Sequence, residues 1–164
     1  MLNAQQVIYN DFYLKGAKIR NLCESAKSTG DIIYIPVVVI DESINQYRER
    51  LKAEQTKIAK EISEINKLAS KNIDNPLTKE FVSQEIEKYP ETFKKRVKCL
   101  DIQMLAYPTT PHKELVKRDL ARKKPFQESG KGYRDALIWE NVKTICKKSP
   151  DLFDLPKVIF ISSQ

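Results

Sequence analysis

Histidine, tryptophan, methionine, glycine and cysteine are all scarce in this chain: one, one, two, four and three of them, respectively, stand among 164 residues. The single histidine, His112, rules out any paired-imidazole site, and it lies in a proline-rich loop of the kind that carries ordinary surface residues. No GxSxG elbow accompanies it, so a serine nucleophile would have no base. Cys23, Cys99 and Cys146 are widely separated and odd in number, with no CxxC or Cys/His cluster, which argues against zinc. They read as three reduced thiols of a cytoplasmic protein. The longest apolar run, Ile32 to Ile40, is nine residues and contains Pro36. A bilayer span needs roughly 18. Met1 to Gln6 is neither basic nor apolar, so no secretory leader is expected.

Charge is plentiful. Hydrophobic residues make up 41% and charged residues 31%, a balance that excludes collagen-like and fully disordered chains and fits one soluble globular domain. The net charge is +7, and the excess is local. Between Lys94 and Lys124 ten basic residues face three acidic ones, Asp101, Glu114 and Asp119. Such clustering points to a polyanionic partner, nucleic acid first, although a solvated lysine-rich face would have the same composition.

Apolar periodicity orders the chain into alternating strands and helices. Ile19, Leu22, Cys23 and Ala26 predict a helix from Gly16 to Ser28, ended by Thr29-Gly30. Ile32 to Ile35 reads as a buried strand. Pro36 fits the first position of a helix whose face carries Val37, Ile40, Ile44, Tyr47 and Leu51. That helix is expected to run to about Lys71, with Ile58, Ile62, Ile65 and Leu68 as a narrow stripe. Helices at Thr78–Tyr89 and Glu91–Leu105 complete a middle section expected to project as an antiparallel pair. Leu115–Arg122 and Tyr133–Lys147 are further helices, and Val158 to Ile161 is a terminal strand. Strands apolar on both faces that alternate with helices indicate α/β layering with a parallel sheet. No linker divides the chain, so residues 1–164 read as one domain with a helical insertion at about 52–105.

Gly130-Lys131-Gly132 invites a phosphate-loop reading, but Pro125 stands where the leading glycine belongs and Gly132 replaces the Ser or Thr. The remaining chemistry is acidic. Glu42 lies about two turns into the helix from Pro36, and Asp135 lies in the first turn of the helix after Gly132, flanked by Lys131 and Arg134. Helix starts gather at the carboxyl edge of a parallel sheet, where ligands bind. Two carboxylates meeting there could hold Mg2+, which needs only one or two carboxylates plus waters and substrate phosphates. Equally, Asp135 could serve only the helix dipole and Glu42 only the surface.

Two stretches resemble the PIN-like nuclease superfamily, in its branch with a long helical insertion. The first is Tyr34-Ile35-Pro36-Val37-Val38-Val39-Ile40-Asp41-Glu42. The second runs from Lys117-Arg118-Asp119-Leu120 through Lys124-Pro125-Phe126 to Gly130-Lys131-Gly132-Tyr133-Arg134-Asp135-Ala136-Leu137-Ile138-Trp139. Val158 to Ser162 is similar to the strand that follows. The resemblance implies a three-layer α/β/α sandwich around a parallel sheet, and Mg2+- or Mn2+-dependent hydrolysis of RNA phosphodiester bonds. It implies that Glu42 and Asp135 are catalytic metal ligands, and that Lys131 and Arg134 contact phosphate; Lys123 and Lys124 would extend the basic rim. The family opens with a strand ending in an Asp-x-Asn motif, for which Met1-Leu2-Asn3 has no counterpart beyond Asn3, and it adds an Asn/Asp loop after the last strand. The chain is therefore expected to lack the usual first central strand and two of four acidic positions, and to be weak or inactive as it stands. Asp11 could be offered as a substitute ligand but is better placed to cap the first helix. Two other readings stay open: a non-catalytic nucleic-acid-binding module, and an interaction protein that pairs with itself or a partner through the helical insertion.

Overall fold

Proline cannot donate a ladder hydrogen bond and its fixed φ suits a helix start, so Pro36 turns one apolar run into two elements. In the computed structural model, which describes residues 11–127 and 131–147, Tyr34–Pro36 is a strand (β1) and Val37–Leu68 a helix of 32 residues (α2) that follows without a loop. Pro36 occupies the N-cap, one residue earlier than expected. Before them, α1 spans Ala17–Thr29 and ends at Gly30, whose φ of 77° is the left-handed cap that glycine adopts without strain. The Asp11 carboxylate takes the N–H of Gly16, the residue preceding α1, so it serves the helix start as expected.

The middle section departs from expectation in two places. Lys79–Cys99 is one helix (α3) that passes through Pro90, not two helices parted there. Its start is as predicted: the Thr78 hydroxyl accepts the Phe81 N–H at 3.1 Å. The proline forfeits one backbone bond, but Tyr89 and Phe93 on either side are fully buried and hold the helix in place. The second correction concerns Gln103–Leu105, expected as the end of a helix. It is a strand (β2), parallel to β1, with Tyr34 beside Gln103 and Pro36 beside Leu105. Asp101, at φ 56°, turns the chain after α3, and the Gln103 N–H donates to the Ile33 carbonyl at 2.8 Å. A three-residue strand carries too little pattern to be read locally; only its partner defines it.

Helices α2 and α3 form an antiparallel hairpin. Asn66 bonds both backbone groups of Ile73, Gln55 donates to the Leu77 carbonyl at 3.1 Å, and Tyr47 stacks on Tyr89 with ring centroids 3.8 Å apart. Residues further back in one helix thus meet residues further on in the other. The proximal half of α2 is core: Val38, Val39, Ile40, Ser43 and Tyr47 are buried. In the distal half Ile58 and Ile62 are half-buried, whereas Ile65 and Leu68 stand in water, Leu68 being 91% exposed.

His112–Leu120 is a short helix (α4), and Tyr133–Lys147 is the helix (α5) whose Ala136, Leu137 and Ile138 close the core against Ile35, Ile40, Leu115 and Phe126. The described residues make an α/β structure with a two-stranded parallel sheet. The expected terminal strand at Val158–Ile161, and any strand ahead of Asp11, lie outside them. No described helix is long and apolar enough to cross a membrane.

Candidate functional site

Both strands run the same way, so the segments that leave them emerge on one side, at their carboxyl ends. A cleft of about 530 Å³ opens there. From α2 it receives Val38, Asp41, Glu42 and Asn45, one helical face at spacings of three and four. The loop after β2 supplies Tyr107, Pro108 and Thr110, the start of α4 adds His112 and Leu115, and the first turns of α5 add Tyr133, Arg134 and Leu137.

Glu42 is the most shielded carboxylate of that lining, its side chain 14% exposed, and it forms an ion pair with Arg134 at 2.8 Å. The arginine is 65% exposed, so water screens the pair and the contact is weak. Asp135 lies one residue further on, exposed and outside the lining; it is Arg134 that touches Glu42. Lys131 is exposed ahead of α5, and Lys123 and Lys124 are exposed in the turn after α4. The two segments meet: Gln127 donates to the Lys131 carbonyl at 3.0 Å.

Two functional groups escaped the sequence reading. Asp41 accepts the Tyr107 hydroxyl at 2.7 Å, and that hydrogen bond is the main reason the tyrosine pKa is raised. The signal for it was its place one residue before Glu42 on the same cleft-facing turn. Glu140, 8% exposed, is the hub behind the cleft. It accepts from Thr110 and Arg118, at 2.8 and 2.7 Å, and pairs with Lys143. Burial opposes its charge, but the hydrogen bonds from Lys143, Thr110 and Arg118 outweigh burial and lower its pKa to about 2. Its sequence signal was a carboxylate on the buried face of α5, one turn beyond Ala136 and Leu137.

The donors lining the cleft are mostly hard oxygens, namely two carboxylates, an amide and hydroxyls, with the His112 imidazole as a nitrogen among them. That chemistry fits Mg2+ or Mn2+ rather than a thiophilic ion. Among the described residues no group of three or more His, Cys, Asp or Glu side chains converges, so a bound ion would rely on a carboxylate pair and water.

No curated protein and no solved structure matches the chain. A family model described as PIN domain matches residues 6–164. With a carboxylate-bearing cleft at the carboxyl ends of a parallel sheet and that match over nearly its whole length, the chain belongs to the PIN domain family, whose fold is nuclease-like.

Proposed function

We propose that this PIN domain hydrolyses RNA phosphodiester bonds with the help of Mg2+ or Mn2+. The observation that carries the reading is Glu42: a shielded carboxylate, held toward a cleft at the strand ends and already balanced by a cation, the Arg134 guanidinium. PIN domains are in general dependent on divalent metal. Glu42, within the cleft lining, would hold the ion directly, and Asp135, exposed outside that lining, would reach it through water; the ion when bound would supply an acidified water and stabilise the leaving oxygen. Arg134 has two roles in this scheme, counter-ion of Glu42 in the free protein and phosphate ligand when substrate arrives. Lys123, Lys124 and Lys131 stand exposed on the neighbouring turns and would neutralise backbone phosphates without reading sequence. In this reading the domain is a three-layer sandwich, and the insertion expected at about 52–105 stops short of β2 and carries no catalytic group.

A second reading has one observation in its favour: the described residues contain no three-carboxylate cluster. The domain would then bind nucleic acid without cutting it. End-labelled single-stranded RNA separates the two. Cleavage should appear with Mg2+ or Mn2+, stop in chelator, and fall at least a hundredfold in Glu42→Gln while RNA binding in chelator persists. RNA bound equally with and without metal and never cut would establish the binding module.

A further inference from the structure

The cleft contains three aromatic rings that neither the core nor the acidic chemistry uses. Tyr107 is 50% exposed and Tyr133 42% exposed, values far from those of the buried Tyr47 and Tyr89. His112, also exposed, meets the Tyr133 ring edge-on with centroids 6.3 Å apart. All three line the same cleft as Asp41, Glu42 and Arg134. We propose that Tyr107, Tyr133 and His112 form a base-stacking subsite that receives unpaired bases of single-stranded RNA beside the Glu42–Arg134 pair. This rests on the nucleic-acid reading above and names the part of the substrate that the cleft grips.

The subsite is partly organised before any ligand arrives. The Tyr107 hydroxyl is tied to Asp41 at 2.7 Å, which fixes the direction of a side chain that would otherwise rotate in water. Pro108 follows directly, and the residue before a proline is confined to extended backbone. Pro111 stiffens the far end of the same loop and caps the helix that begins at His112. Tyr133 is the first residue of α5, which fixes its backbone at the other wall. The tied Tyr107 side chain has little entropy left to lose on binding.

The surroundings fit the chosen occupant. Lys113 and Lys117 are exposed on α4, and Lys131 and Arg134 flank the other wall, so a strand whose bases enter the cleft keeps its phosphates near positive charge. Flat rings beside a cationic track are how single strands are held without sequence preference, because every base has a π face. A duplex hides those faces and would lose the contact. At about 530 Å³ the cleft lies within the range of sites that bury a small planar ligand.

The test uses fluorescence anisotropy of the full chain in chelator, which prevents cleavage. The probes are a fluorescein-labelled ten-nucleotide uridine strand, an abasic ribose-phosphate strand of equal length, and the uridine strand annealed to its complement. Wild type should bind the uridine strand about tenfold or more tightly than the abasic strand, the scale of one or two stacked bases. Tyr107→Leu with Tyr133→Leu should erase that advantage and leave the salt slope unaltered, since no phosphate contact is removed. Tyr107→Phe should keep most of it. Both tyrosines are exposed, and a thermal melt like wild type confirms that the variants are folded. Equal binding of the base-bearing and abasic strands, tighter binding of the duplex, or unchanged binding by the double leucine variant overturns the subsite while leaving the nuclease reading intact. Failure of wild type to bind any of the three overturns both.

Discussion

At the scale of single residues, the walls of the cleft depend on a glycine and a buried glutamate that lie outside its lining. Gly132 has φ 106°, and a Cβ there would lie 2.2 Å from the Pro125 carbonyl oxygen and 2.9 Å from Phe126 Cα. Its own carbonyl accepts the Ala136 N–H at 2.8 Å, the first bond of the helix that carries Arg134. Gly132→Ala must therefore move backbone against backbone at the root of α5. The expected loss is about 2 kcal/mol or more, measured by chemical denaturation; a midpoint equal to wild type would mean that the loop at Pro125 yields freely. Glu140 makes a prediction in pH. Its folded pKa, about 2, lies below the ordinary 4.5, so its charged form contributes stability that is fully present above about pH 4.5 and lost as pH falls toward 2. With its side chain only 10% exposed, that contribution is at most about 3 kcal/mol. Glu140→Gln should lower stability at pH 7 and flatten the acid limb of the unfolding curve. A parallel downward shift of the whole curve would instead assign the loss to packing alone.

At the scale of elements, the hairpin shows where local propensity was overruled. By local propensity Pro90 should break the helix, because a mid-helix proline removes a bond and clashes with the preceding turn, about 3 kcal/mol. Burial of Tyr89 and Phe93, with Tyr89 stacked on Tyr47 and its hydroxyl donated to the Phe12 carbonyl, overrides that penalty. Pro90→Ala should then restore the bond and raise the unfolding midpoint, by about 1–3 kcal/mol if the ring contacts little. A destabilised Pro90→Ala would show that the ring packs against its neighbours. Helix α5, by contrast, was legible over its full length from Tyr133 to Lys147, since Leu137, Ile138, Asn141, Val142 and Ile145 fall on one face, apolar but for Asn141. The strand β2 was not, because Gln103-Met104-Leu105 alternates nothing and is defined only by β1 beside it.

At the scale of the whole molecule, the structure divides a charge excess that composition gives only as a total. Of the basic cluster from Lys94 to Lys124, three arginines are bound internally: Arg96 to the Leu14 carbonyl, Arg118 to Glu140 and Arg122 to Asp119. Lys95 pairs with Glu91 at 3.5 Å on the surface, and Lys94, Lys98, Lys113, Lys117, Lys123 and Lys124 remain exposed. Replacing Lys123, Lys124 and Lys131 with alanine should weaken RNA binding and lower the magnitude of the salt slope by about two, as expected for three single-strand phosphate contacts. An unchanged slope would leave those lysines as solvating surface. The sequence by itself determined most of the helices, the strand-to-helix junction at Pro36, the placement of Glu42 and Asp135 near helix starts, and the family, because each is written in local pattern or in a contiguous motif. Only the tertiary structure decided that Gln103–Leu105 pairs with Tyr34–Pro36, that Arg134 and not Asp135 meets Glu42, and that Tyr107, His112 and Tyr133 share the cleft. Those facts depend on contacts between residues 21 to 92 positions apart, and no spacing within one segment encodes them.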